Sequence, residues 1–178
     1  MTCIVAIAHK GKVHIGGDSA GVGARHDVNV RVDKKVFKNG DYIMGFCGSF
    51  RMGQLLAYKF IPPEPHPDRD MLAFMVTDFV DAVRDCLKHG GFSKISDNEE
   101  SGGDFIVGYK GHLFHLFEDF QVQAVADDFD AAGIAAELAL GSLHSTRGKA
   151  PKERILKALS AAEHFSAAVK GPFTVLST

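Results

Sequence analysis

Thr2 directly follows Met1. Removal of Met1 is sterically easy before so small a side chain, and it would leave a free amine beside the Thr2 hydroxyl. Such an amine has a reference pKa of about 7.7–8.0, so it can act as a base near neutral pH. Asp18 follows a strand of buried type and the pair Gly16-Gly17. A carboxylate buried there needs a cation, and Lys34 and Lys35 are both candidates at the start of the next strand. A lysine near an amine disfavours the amine's protonated form, which helps it serve as a base. The run Gly45-Phe46-Cys47-Gly48-Ser49 closes a hairpin and opens a helix. A glycine at that junction can turn its N–H toward a developing oxyanion, helped by the helix N-terminus. Taken singly, each feature has a plain alternative: an ordinary Met-Thr start, a structural ion pair with Lys34 solvated, a tight turn.

The elements that must hold these residues can be read from periodicity. Cys3 to His9 alternates with β-branched residues, turns at Lys10–Gly11 and returns over Lys12 to Ile15. A loop then runs to about Arg31. A second hairpin spans Lys35 to Lys38 and Tyr42 to Cys47, with Asn39-Gly40 as its turn. Ser49 caps a helix carrying Met52, Leu55, Leu56 and Phe60, which Pro62-Pro63-Glu64-Pro65 stops. A longer helix covers Asp68 to His89, and Ser93 to Gly103 reads as a loop. Strands follow over Asp104 to Tyr109 and His112 to Glu118, with more to Val125. Helices are expected over Ala131 to Ser145 and Pro151 to Ala168, then a last strand from Phe173 to Leu176. Runs of strands and runs of helices without strict alternation point to an α+β domain of two antiparallel sheets between helical layers.

Composition narrows the function classes. A chain of 178 residues, 46% hydrophobic and 24% charged, fits one globular domain spanning 1–178 and excludes disorder or coiled coil. A net charge of -2 supplies no basic field for nucleic acid. Cys3, Cys47 and Cys86 form neither a disulfide framework nor a zinc pair, so a reducing cytoplasm is expected. Cys47 and Cys86 read as buried small hydrophobes. No signal peptide and no membrane span is read. Of the nine histidines, His112 and His115 fall on opposite faces of one strand, poor geometry for a metal, and solvated or capping roles are expected.

In order and spacing, Thr2-Cys3-Ile4-Val5, Gly16-Gly17-Asp18-Ser19, Lys34-Lys35-Val36 and Gly45-Phe46-Cys47-Gly48 resemble the proteasome β-subunits and HslV-type peptidases, which are N-terminal-nucleophile hydrolases. Gly133 followed by Ala139-Leu140-Gly141-Ser142-Leu143 extends the resemblance through the second half. The resemblance implies a four-layer αββα sandwich whose copies assemble into a homo-oligomeric ring. It implies Thr2 as nucleophile and base, Asp18 as the acid paired with the site lysine, and Gly48 as oxyanion donor. Ungapped spacing from Asp18 selects Lys34. The Lys-Lys-Val context selects Lys35, which is preferred because Val36 and Tyr42 then fall into place around a shortened hairpin. The implied reaction is hydrolysis of a peptide or unfolded-protein substrate through an ester on Thr2, with no cofactor or metal. Any ATP-dependent unfoldase must be a separate chain, because no Gly-x-x-x-x-Gly-Lys loop is present.

The departures keep two other readings open, a catalytically silent ring or scaffold protein and a small-amide hydrolase. Ile134 and Ala135 stand where the family carries Ser and Gly, and that Ser bonds the terminal amine. His164 stands nearest to an Asp of the last helix. The pocket walls are expected between Ala20 and Arg31 and around Cys47 to Ser49.

Overall fold

Two-residue turns fold the alternating segments back on themselves. At Lys10–Gly11 and Lys110–Gly111 both residues take positive φ (51° and 73°, 46° and 82°), the twist that suits a tight hairpin. These turns join β1 (Ile4–His9) to β2 (Lys12–Gly17) and β9 (Phe105–Tyr109) to β10 (His112–Leu116). The hairpin of β5 (Val36–Asn39) and β6 (Tyr42–Phe46) turns one residue later than Asn39-Gly40, at Gly40-Asp41, because Asn39 still pairs with Tyr42. The Asn39 amide is engaged elsewhere, donating to the carbonyls of Leu56 and Phe60 at the end of the following helix.

The computed structural model describes residues 1–23, 25 and 27–178. One sheet has the order β12-β1-β2-β13, with β12 at Phe129–Ala132 and β13 at Thr174–Ser177. The other has the order β11-β10-β9-β6-β5, with β11 at Val122–Ala124. Every pairing is antiparallel. Their facing sides meet through Ile4, Ala6, Ile15, Val36, Ile43 and Ile106. On the outside of the first sheet, α4 (Ala136–Ser145) and α5 (Pro151–Phe165) bury Ala139, Leu143, Ile155 and Leu159 against Val5 and Ile7. Outside the second lie α1 (Phe50–Tyr58) and a helical run of α2 (Met71–Phe74), a π-helical stretch (Met75–Phe79) and α3 (Val80–His89). That layer packs Met52, Leu56, Phe79 and Leu87 on Met44, Phe46 and Phe105. The architecture is the four-layer αββα sandwich expected from the sequence.

Several boundaries differ from the sequence reading. Ala131 and Ala132, expected to start a helix, instead end the strand Phe129–Ala132, paired with β1 from Ile4↔Ala132 to Ile7↔Phe129. Sheet pairing overrides the helix propensity of the alanines, and α4 begins only after Gly133, at φ +97°. The segment Ser93 to Gly103 contains a hairpin, β7 (Lys94–Ser96) with β8 (Glu99–Ser101), turned at Asp97-Asn98 with both φ positive. The stretch before Arg31 contains another, β3 (Ala20–Val22) with β4 (Val28–Val30). Ala24 and His26, inside the expected pocket wall, lie outside the described residues. The last helix ends at Phe165, three residues short of the expected Ala168. Among the described residues no helix is long and apolar enough to cross a membrane.

Candidate active site

Thr2 stands just before β1, at the end of the sheet sandwich where β2 and β6 also finish. It is 3% exposed, beneath Met1, which is 40% exposed. Its hydroxyl donates to the Met1 carbonyl, the carbonyl of the bond whose loss would free the Thr2 amine. The same carbonyl lies 3.4 Å from Lys35 Nζ.

Asp18 is delivered by the last residues of β2. Gly16 lets α5 approach closely, since a Cβ there would run into Ile155. The buried Asp18 carboxylate is fully engaged. Its Oδ1 accepts from the Cys3 N–H at 3.0 Å and from Lys35 Nζ at 2.9 Å; its Oδ2 accepts from the Ala20 N–H at 2.9 Å and the Lys170 N–H at 3.4 Å. Lys35 is 1% exposed, whereas Lys34 is exposed to solvent. The choice between the two lysines is therefore geometric: Lys35 is the one that meets Asp18. Burial lowers the Lys35 pKa below the ordinary lysine value, and the Asp18 carboxylate opposes that shift without cancelling it.

Gly48 lies at the junction of β6 and α1 with φ +78°, exposed, and with open space where a Cβ would be. The N-cap of α1 is Ser49, whose hydroxyl accepts from the Arg51 and Met52 N–H groups. Gly133 is the second turn glycine of the site. A Cβ on Gly133 would strike the Thr2 carbonyl and come within 3.2 Å of Cys47 Sγ. Gly133 thus lies against Thr2 and beside Cys47, with Gly48 one residue beyond Cys47. Burial pushes the Cys3 thiol up to about 12, with Asp18 adding to it, and raises the Cys47 thiol as well. Both thiols are held neutral and are poor nucleophiles.

Two positions considered in the sequence reading lie elsewhere. Ile134 is 64% exposed, so it brings no polar group to Thr2. His164 is exposed and packs edge-on against Phe165. Its neighbour Glu163 faces the site side instead, accepting from the Gly171 N–H at 3.0 Å, with Lys170 Nζ 3.5 Å away. The Lys170 N–H touches Asp18 and its carbonyl accepts from Ser19, so Glu163 braces the segment that contacts the site.

His115 also departs from its expected solvated or capping role. It is buried on β10, with Nδ1 2.9 Å from Asp130 and Nε2 2.7 Å from Asp104. Only an imidazolium can donate from both nitrogens, and the two carboxylates outweigh desolvation to raise its pKa to about 9. The sequence signal was a strand apolar on both faces, in which a lone histidine needs partners.

No protein-family model matches this sequence, and no curated protein is significantly similar to it. Solved structures share its fold over nearly the whole chain. BPH of Thiobacillus denitrificans in complex with epoxomicin aligns with a TM-score of 0.77 at 20% identity, covering 99% of this chain and 98% of that one. Eukaryotic HslV from Trypanosoma brucei gives 0.68 at 16%, covering 99% and 98%. Anbu, the ancestral β-subunit, from Yersinia bercovieri gives 0.67 at 14%, covering 99% and 81%. The fold is that of the N-terminal-nucleophile hydrolases. Among proteins of that fold, the chain is built like HslV and the Anbu β-subunit.

Proposed function

We propose that the protein is an N-terminal threonine peptidase, made active by loss of Met1 and working within a ring of identical subunits. The observation that carries the reading is that a buried Lys35–Asp18 pair and the Gly133 turn meet at Thr2, with Gly48 next to the Cys47 that Gly133 approaches. With Met1 gone, the Thr2 amine takes the proton of the Thr2 hydroxyl as Oγ1 attacks a substrate carbonyl carbon. A lysine beside the amine holds down its proton affinity. The oxyanion accepts a hydrogen bond from the Gly48 N–H at the start of α1. The carbon–nitrogen bond then breaks as the amine returns its proton to the leaving amine, and an ester on Thr2 remains. Water attacks that ester, passing a proton to the amine, and the acid leaves with Oγ1 restored.

The substrate class that suits this chemistry is a peptide or an unfolded protein segment. A separate unfoldase is part of the same proposal, as is a homo-oligomeric ring. The exposed Ile134 in place of a hydroxyl favours a second reading, a silent ring or scaffold protein. A small-amide hydrolase would keep the nucleophile and differ only in substrate. Hydrolysis of fluorogenic peptides and of a small amide, compared between the native protein and Thr2→Ala, separates the three. Peptide turnover abolished by Thr2→Ala supports the peptidase; turnover surviving that change contradicts it. No turnover by protein lacking Met1 favours the scaffold.

A further inference from the structure

His115 joins two walls of the Thr2 site that belong to different sheets. Its Nε2 meets the Asp104 carboxylate, just ahead of β9, and its Nδ1 meets the Asp130 carboxylate on β12. Asp104 in turn accepts the Cys47 N–H on its backbone carbonyl at 2.8 Å, one residue before Gly48. Asp130 folds its other oxygen onto the Ala131 N–H at 2.8 Å, two residues before Gly133, which lies too near the Thr2 carbonyl to carry a Cβ. The ring of Phe117 stacks on the imidazole at 4.3 Å between centroids. The charged groups facing the imidazole are Asp104 and Asp130, so this side chain ties the strand ends ahead of the Gly48 and Gly133 turns together, alongside the direct approach of Gly133 to Cys47.

We propose that His115 is a positioning residue that fixes the spacing between the Gly48 and Gly133 turns, and through them the alignment of the oxyanion donor with Thr2. The proposal rests on the peptidase reading for its consequence in catalysis, but the lock itself is a property of the fold. Loss of one ring proton leaves one carboxylate without its imidazole donor, and the tie between the two turns is loosened. A misplacement of order 1 Å is enough to cost about 100-fold in rate. His115→Gln keeps a polar side chain but cannot donate at both positions.

The test uses protein lacking Met1, native and His115→Gln. The expected result is a kcat lowered about tenfold to 100-fold with KM little changed. The native kcat should decline as pH rises through about 9, and His115→Gln should lack that limb. A lowered thermal midpoint with an unchanged kcat profile would reduce His115 to a structural role and overturn the proposal. A second measurement does not depend on turnover. With carbon-labelled histidine and nitrogen-labelled glycine, the Gly48 and Gly133 amide signals should move with pH along the His115 titration and stay still in His115→Gln. A titrating His115 with both glycines unmoved would overturn the lock. Absence of turnover in the native protein would count against the peptidase reading alone, and the glycine signals would still decide the role of His115.

Discussion

Lys35 Nζ donates to Asp18 Oδ1 across 2.9 Å where both side chains are shut off from solvent. A buried pair of this kind costs more to break than it contributes when intact, because the survivor is left charged and unpaired. Lys35→Met should therefore lower unfolding stability by roughly 3 kcal/mol, toward the low end of the range for buried pairs, since Asp18 keeps three backbone donors. Peptide turnover should fall at least about 100-fold. Lys34→Met, at an exposed side chain, should leave both within error. Urea unfolding and steady-state turnover on the two variants check this, and equal effects would contradict the assignment of Lys35.

Gly48 and Gly133 both have positive φ, but their surroundings differ. Gly48→Ala meets open space and should cost only the backbone preference, about 1 kcal/mol, with the N–H retained. Gly133→Ala forces a methyl against the Thr2 carbonyl. It should cost more in stability and remove most turnover. Thermal melts and activity of the pair will show whether Gly133→Ala is the worse of the two, as this contact requires.

His115 carries a folded-state pKa raised to about 9 from an ordinary value of 6.5. Its contribution is then fully present below about pH 6.5 and is lost as pH rises through 9, a change on the order of 3 kcal/mol. Lys35 acts in the opposite sense. Its lowered folded pKa means that the unfolded chain holds a proton the folded one sheds, so stability gains as pH approaches the ordinary lysine value of 10.5. Denaturant midpoints from pH 6 to 9.5 should decline in the native protein and lose that decline in His115→Gln.

Glu163, rather than His164, should matter to the site. Glu163→Ala removes the acceptor of the Gly171 N–H and should cost about 1 kcal/mol, with a modest loss of turnover. His164→Ala should change neither. Parallel melts and assays on these variants distinguish the neighbours.

Much of this arrangement was legible in the chain because it is local. The strand before Asp18, the strand at Val36 and the Ser49 cap are short-range signals; Ser49 is the cap as expected, and the two strand bounds shift by only two residues and one, to Gly17 and Val36. The failures are long-range. Ala131 and Ala132 look helical by composition and join a strand only because β1 offers them a partner. Asn39 looks like a turn residue until the carbonyls of Leu56 and Phe60 claim its amide. His115 sits in a strand apolar on both faces, which argues for burial, but its partners Asp104 and Asp130 lie 11 and 15 residues away and only the fold brings them to it. Glu163 was passed over for His164 because adjacent positions on a helix differ by about 100° in direction, and only packing says which one faces inward.

The central claim is that Thr2, freed of Met1, is the nucleophile. Intact mass of the purified protein before and after treatment with epoxomicin tests it most directly. The account predicts a chain lacking Met1 that gains one inhibitor per subunit, an adduct that Thr2→Ala abolishes. A chain that keeps Met1 and gains nothing, or an adduct that survives Thr2→Ala, would contradict it.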